Sequence, residues 1–245
     1  IGDLLNAGML HPDTMTVGGK GLEHYTHEPK LIDGDLSWQK GSGESLNDKI
    51  LRPVSDPFQT SGGLKRLTGS LGTAVMKVSA VAPEHRVIQA PARVFADQVE
   101  VKAAFKAGEL TGDVIIVVRF QGPKANGMPE LHSLTPLLSI LQGRGQQVAL
   151  VTDGRMSGAS GKVPAAIHVC PEALDGGPIS KLQDGDLLRV DATTGVLEIL
   201  TPDVLTRTPA QADLGANHTG TGRELFAAFR NTVGSADTGA TVFGV

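Results

Sequence analysis

Apolar residues recur along the chain with two different spacings, which predict where strands and helices lie. Strand-forming, often β-branched residues fill Ala74–Val81 and Val87–Phe95, which predicts two strands. Continuous apolar runs within Asp113–Phe120 and Gln147–Thr152 predict strands that are buried on both faces. Helical spacing that ends at Gly108 predicts a helix over Asp97–Gly108, and helices are also predicted over Glu130–Gln142 and Gly222–Val233.

A hairpin is predicted farther along the chain. Asp184-Gly185-Asp186 precedes the apolar stretch Leu187–Asp191, and the turn Ala192–Gly195 leads into Val196–Leu200. Strands and helices alternate without a recurring period of roughly 20–50 residues, which excludes a solenoid. The order predicts an α/β fold, a mixed β-barrel-like or layered sheet with peripheral helices.

The first 49 residues differ from the rest because they lack sustained apolar periodicity. We expect short helices near Gly2–Gly8 and Lys20–Thr26, followed by an irregular linker. Residues 1–49 are therefore predicted to be the tail of a preceding domain, and residues 50–245 a C-terminal domain. The first residue is Ile1, which favours a piece of a longer polypeptide, with a processed N-terminus as the alternative.

Composition narrows the class of protein. A net charge of −4, from 22 basic and 26 acidic side chains, is too mild to indicate nucleic acid or an acidic membrane surface as partner. No apolar run approaches the roughly 18 residues of a transmembrane helix, and no signal peptide is visible. The single cysteine, Cys170, precludes an internal disulfide and fits a reducing cytosol, so we expect a cytoplasmic globular protein.

The loop Gly122–Glu130 is the first candidate for chemistry, because it follows a predicted buried strand and leads into a predicted helix. Such strand ends often hold ligands in α/β folds. Glu130 has two readings. Its carboxylate could favour the helix dipole beside Pro129, or it could supply an oxygen ligand to a hard cation such as Mg²⁺.

The loop Thr152–Lys162 is the second candidate, because it follows the next buried strand and is rich in glycine. It carries the carboxylate of Asp153, the guanidinium of Arg155, the hydroxyl of Ser157 and the ammonium of Lys162. Arginine and lysine suit phosphate or carboxylate groups, and an activated serine can serve as nucleophile or base. The alternative interpretation is that this loop is only a polar surface turn.

A third segment, Ile167–Ala173, contains His168 and Cys170. His168 lies between apolar residues at strand spacing, which is more typical of a structural histidine than of a catalyst. Cys170 is expected to be a small buried hydrophobe. One cysteine is too few to hold an iron–sulfur cluster.

The two candidate loops resemble C-terminal signatures of a dehydratase family. That family unites dihydroxy-acid dehydratase, sugar-acid dehydratases and 6-phosphogluconate dehydratase. Further ordered matches over essentially the whole chain are Gly62-Gly63-Leu64, Gly69-Ser70-Leu71-Gly72, Pro91-Ala92-Arg93-Val94-Phe95, Pro171-Glu172-Ala173 and Asp184-Gly185-Asp186. At Met156, Ala159-Ser160 and Lys124-Ala125-Asn126-Gly127 the chain resembles the 6-phosphogluconate branch of this family more than the dihydroxy-acid branch.

The resemblance implies a "swivelling" β/β/α barrel domain and a β-elimination. Water would leave 6-phospho-D-gluconate to give 2-dehydro-3-deoxy-6-phosphogluconate, the dehydration of the Entner–Doudoroff pathway. It implies Ser157 as the base and Glu130 as a Mg²⁺ ligand. Arg155, Lys162, Asp153 and His168 are then candidates for substrate binding.

The same resemblance implies an iron–sulfur cluster, whose cysteines and remaining Mg²⁺ ligands lie in an N-terminal half of the subunit. This chain holds no cluster ligands and is expected to be inactive alone. Its expected partners are its own N-terminal domain, a second subunit in a homodimer and a sugar-acid phosphate. The alternatives are a dehydratase for another sugar acid or dihydroxy acid, and a non-catalytic module that binds anions or a protein partner.

Overall fold

The computed structural model describes residues 1–157 and 162–243. Contacts divide the chain into two compact units, Ile1–Ser61 and Gly62–Val245. The division follows Ser61, whereas the sequence pattern changes at residue 49.

The first unit consists of short elements and two hairpins. These elements are α1 (Gly2–Asn6), β1 (Met15–Thr16), β2 (Gly19–Lys20), a 3₁₀ turn (Glu23–Thr26), β3 (His27–Ile32) and β4 (Asp35–Lys40). The early helix is confirmed, although the second predicted helix is only a 3₁₀ turn. The predicted irregular linker is wrong, because β3 and β4 pair in antiparallel register. Asp33 and Gly34 both have positive φ, as a tight two-residue hairpin turn requires.

The second unit contains a closed eight-stranded barrel, which confirms the predicted α/β barrel class. Its strands are β5 (Leu64–Gly69), β6 (Gly72–Lys77), β7 (Val87–Phe95), β8 (Val114–Val118), β9 (Val148–Thr152), β10 (Ala165–Cys170), β11 (Leu187–Asp191) and β12 (Val196–Ile199). Around the barrel their order is β10-β6-β5-β12-β11-β7-β8-β9. The predicted hairpin is confirmed as β11–β12.

One side of the barrel is parallel and the other is mainly antiparallel. Strands β7, β8, β9 and β10 pair in parallel, and β11 and β6 continue the barrel at the two ends of this set in antiparallel register. Turning from β5 into β6 requires a residue without a side chain, because a Cβ on Gly72 would collide with the carbonyl oxygen of Cys170.

The sequences of β8 and β9 are continuously apolar because each strand packs against an apolar layer on both of its faces. Ile115 and Val117 of β8 point into the barrel core. Val114, Ile116 and Val118 point outward into a second core. Both faces of the parallel strands are therefore buried, as the sequence predicts.

Helices α2 (Gln98–Lys106) and α4 (Thr135–Gly143) cover the outer core. The other helices among the described residues of this unit are α3 (Pro123–Asn126), α5 (Gly215–His218) and α6 (Ala227–Thr232). Helix α2 begins with a capping box between Asp97 and Glu100. No helix within residues 1–157 and 162–243 is long and apolar enough to cross a membrane.

Two predicted helices are shorter than expected. The helix predicted over Glu130–Gln142 begins as a 3₁₀ turn at His132 and continues as α4, so Glu130 precedes it. The helix predicted over Gly222–Val233 is a 3₁₀ turn (Arg223–Phe226) followed by α6.

The turn between β11 and β12 is held by the buried carboxylate of Asp191. It accepts hydrogen bonds from the amides of Thr193 and Thr194, both at 2.9 Å, and from Arg189 Nη2 at 2.8 Å. Burial raises the pKa of Asp191, but these hydrogen bonds outweigh it and lower the pKa to about 2.

We expect Asp191→Asn to destabilise the protein at neutral pH. Because the folded pKa lies below the unfolded value of about 3.9, the ionised carboxylate contributes stability above about pH 4 that is lost as pH falls towards 2. Urea denaturation at pH 7 should show a loss of about 1–2 kcal/mol in the free energy of unfolding, after allowance for solvent screening. The loss should shrink below pH 4, and the exposed Asp203→Asn is the control. A loss of equal size at pH 3 and pH 7 would contradict this role.

Candidate functional site

The two candidate loops meet because β8 and β9 are adjacent parallel strands whose carboxyl ends lie at the same edge of the barrel. The loop after β8 and the loop after β9 then run side by side. Glu130 and Arg155 form an isolated parallel bridge, in which the amide of Leu131 donates to the carbonyl of Arg155 at 3.1 Å. Glu130 and Arg155 are 25 positions apart in the sequence, and the pairing of β8 with β9 brings them into contact.

The carboxylate of Glu130 lies at the centre of this contact. Its Oε2 accepts a hydrogen bond from Arg155 Nη1 at 2.8 Å. Its Oε1 accepts from the backbone amide of Ser157 at 2.7 Å and from that of His132 at 3.0 Å. The predicted Mg²⁺ ligand and the predicted base are therefore neighbours.

Arg155 links the two loops through its side chain. Its Nε donates to the carbonyl of Met128 at 2.8 Å, while Nη1 reaches Glu130. The side chains of Arg155 and Glu130 remain 51% and 35% exposed, so ligands can reach this pair. Ser157 is also exposed.

Asp153 faces the protein interior rather than the exposed part of the loop. Its buried carboxylate accepts hydrogen bonds from the amides of Phe120 (3.1 Å), Gln121 (2.9 Å) and Ala173 (2.9 Å). Burial raises the pKa of Asp153, and these backbone hydrogen bonds oppose that shift. In this geometry Asp153 joins three loops, and its oxygens are not directed at an exposed ligand.

Glu172 is a second buried carboxylate of the site, and the sequence reasoning gave it no role. It accepts hydrogen bonds from the amides of Lys124 (3.1 Å) and Ala125 (3.0 Å), which begin α3. Burial raises its pKa, against those two hydrogen bonds. Lys124 pairs with Asp175 at 2.7 Å. The one sequence feature that pointed to this segment was the family match at Pro171-Glu172-Ala173. That match did not indicate that Glu172 holds the loop leading to Glu130.

His168 and Lys162 lie in the next segment of the chain. His168 is half-buried in an irregular part of β10 with φ of 57°, and its amide donates to the carbonyl of Gly154 at 2.9 Å. Burial lowers the pKa of its imidazole, and the charge of Arg155 lowers it further. Lys162 is exposed. Ala159 and Ser160, which distinguish the branches of the resembled family, lie outside the described residues.

The donor atoms present fit a Mg²⁺ ion only in part. Glu130 offers hard carboxylate oxygens, and Mg²⁺ sites often use one or two protein carboxylates together with water and substrate. Among the described residues no group of three or more His, Cys, Asp and Glu side chains could hold a metal. Glu130 therefore fits as one ligand of a shared site.

The chain does not fit an iron–sulfur cluster. Cys170 is its only cysteine, it is buried as predicted, and its thiol donates to Asp237 Oδ1 at 3.1 Å. Burial also raises the pKa of this thiol, which disfavours the thiolate that metal binding needs.

Comparisons with known proteins identify the family of the chain. Residues 49–240 match the family model described as dihydroxy-acid/6-phosphogluconate dehydratase, C-terminal. The phosphogluconate dehydratase of Pseudomonas aeruginosa is 58% identical over 249 residues, which cover 99% of this chain and 40% of that protein. The enzyme of the same name from Escherichia coli K12 is 53% identical, with 98% and 40% covered.

A dihydroxy-acid dehydratase is more distant. The protein of that name from Sulfurisphaera tokodaii is 39% identical over 202 residues, which cover 81% of this chain and 33% of that protein. The chain spans about 40% of the length of the phosphogluconate dehydratases named above. The chain therefore belongs to the dihydroxy-acid/6-phosphogluconate dehydratase family and carries its C-terminal domain.

Proposed function

We propose that this chain is the C-terminal part of a dehydratase that converts 6-phospho-D-gluconate to 2-dehydro-3-deoxy-6-phosphogluconate and water. The observation that carries the proposal is the 2.7 Å hydrogen bond from the Ser157 amide to Glu130 Oε1, which sets a candidate base beside a candidate metal ligand. Identity of 53–58% with two phosphogluconate dehydratases, against 39% with a dihydroxy-acid dehydratase, favours the phosphorylated substrate.

Ser157 is the proposed base. It would take the proton from C2 while the hydroxyl group on C3 leaves with its bonding electrons. The proton and the hydroxide together account for the released water, and the enol left behind becomes the 2-keto group. A serine acts as base only when its hydroxyl is ionised, so it requires positive charge nearby.

Glu130 is the proposed link to Mg²⁺. When bound, the ion would supply positive charge that acidifies the C2 proton and favours an ionised serine. The single cysteine of this chain is too few to hold an iron–sulfur cluster, and its thiol is engaged with Asp237. Ligands for such a cluster would have to come from the rest of the subunit.

The remaining partners follow from this proposal. The chain covers about 40% of the phosphogluconate dehydratases that it matches, so we expect it to act joined to an N-terminal domain in a homodimeric, cytoplasmic enzyme. Lys162, an exposed cation five residues after Ser157, is the proposed contact for the substrate phosphate.

Replacing Ser157 with Ala in the full-length enzyme should lower kcat for 6-phosphogluconate by roughly 10²–10⁴-fold, the contribution typical of a general base. Steady-state kinetics on the purified protein measures this effect. Ser133→Ala is the matched control, because Ser133 is exposed and hydrogen-bonded to Gln98. If turnover by Ser157→Ala stays within a few-fold of the wild type, Ser157 is not the base, and a non-catalytic anion-binding role becomes the better account.

Glu130→Gln should weaken metal binding while keeping the shape of the side chain. The amide oxygen can still accept from Ser157, but the negative charge that favours Mg²⁺ is gone. We expect the Mg²⁺ concentration for half-maximal activity to rise about 10-fold or more. Titration with Mn²⁺, followed by electron paramagnetic resonance, should show the same loss without turnover. Unchanged metal affinity would remove Glu130 from the metal site.

The substrate assignment is tested by comparing 6-phosphogluconate with gluconate. We expect kcat/KM to favour the phosphorylated acid, and Lys162→Ala should reduce that preference by roughly 10-fold, which corresponds to about 1.4 kcal/mol of lost binding in the transition state. Lys106→Ala, at the end of α2, is the control. A wild-type preference for gluconate would replace the phosphate assignment with another sugar acid.

A further inference from the structure

Arg155 has a geometry that suits holding the site together rather than binding an anion. Its guanidinium is engaged on two sides, with Nε on the carbonyl of Met128 and Nη1 on Oε2 of Glu130, both at 2.8 Å. Its own carbonyl accepts from the amide of Leu131. Arg155 therefore contacts Glu130, the candidate metal ligand, and also Met128 and Leu131, which flank it in the chain.

The loop that carries Glu130 needs such a restraint. Gly127 and Met128 both have positive φ, of 65° and 55°, which is an uncommon conformation for methionine. This turn directs the Met128 carbonyl towards Arg155. From the other side, Glu172 holds the amides of Lys124 and Ala125, so the loop is fixed at both ends by charged side chains.

The restraint extends to the candidate base. Arg155 holds Oε2 of Glu130, and this leaves Oε1 directed at the amide of Ser157. The Glu130 carboxylate has little freedom to rotate, because Arg155 holds Oε2 while the amides of Ser157 and His132 hold Oε1. The position of Ser157 thus depends on Arg155 through Glu130.

We propose that Arg155 is a positioning residue that fixes Glu130 and, through it, Ser157, so that metal ligand and base are set as one unit. This inference rests on the proposed function for its catalytic consequence, but its structural part concerns only contacts within this chain. It replaces the simpler idea, drawn from the sequence, that Arg155 binds the substrate anion.

The structural part is tested by hydrogen exchange in the full-length protein. In Arg155→Ala the amide of Ser157 should exchange faster than in the wild type, because Glu130 no longer holds it. Mass spectrometry of a peptide spanning 155–157 measures this, and it needs neither substrate nor turnover. Arg144→Ala is the matched control, because Arg144 is an exposed arginine at the end of α4. Unchanged exchange at Ser157 would overturn the proposal.

The functional part is tested by kinetics and by rescue. Arg155→Ala should lower kcat and raise the Mg²⁺ concentration for half-maximal activity, each by roughly 10–100-fold, as expected for groups that orient a metal ligand. Added guanidinium ion should restore part of kcat. Arg155→Lys should not, because an ammonium cannot bridge Met128 and Glu130 as the planar fork does.

Two results would contradict this role. An anion-binding Arg155 would raise KM for 6-phosphogluconate with kcat and Mg²⁺ dependence unchanged, and lysine would substitute well. The positioning role would also be overturned if Arg155→Ala unfolds at the wild-type temperature and added guanidinium ion does not raise its kcat. If the wild-type enzyme fails to dehydrate 6-phosphogluconate, the proposed function fails, but the exchange of the Ser157 amide still decides whether Arg155 positions the loop.

Discussion

The parallel pairing of β8 with β9 is the constraint on which the site depends. Parallel neighbours end at the same edge of a sheet, so the loops that follow them must emerge together. Five register pairs, from Val114–Val148 to Val118–Thr152, fix that alignment. A shift of one residue would turn both apolar faces over and separate Glu130 from Ser157. The two buried layers that lock the register therefore also determine the geometry of the site.

Buried carboxylates carry that alignment from the strands into the loops. Asp153 follows β9 directly and binds amides in the loop after β8 and in the segment after β10. Burying a carboxylate is costly unless hydrogen bonds compensate it, and backbone amides provide that compensation at Asp153 and at Glu172. Both acids therefore have a structural reason to be present, apart from any contact with substrate.

The sequence predicted the parts of the fold that depend on local pattern. The runs in β8 and β9 identified strands buried on both faces, and the turn after Asp191 identified the β11–β12 hairpin. The sequence did not predict the β3–β4 hairpin, because the side chains of these strands are mostly exposed and show no apolar alternation. The sequence also placed the start of the helix at Glu130, because a proline followed by an acidic residue is typical of a helix N-terminus. In the structure Glu130 instead forms a β-bridge with Arg155, and the helical turn begins at His132.

The site was predictable as a set of residue types but not as a set of contacts. Asp153, Arg155 and Ser157 all looked available in one glycine-rich loop, and the direction of each side chain depends on tertiary packing. The exposed Glu130–Arg155 pair illustrates the difference, since surface ion pairs contribute only about 0–1 kcal/mol to stability. Stability alone therefore gives little reason for the Glu130–Arg155 pair. Orienting Glu130 towards the amide of Ser157 gives a better one.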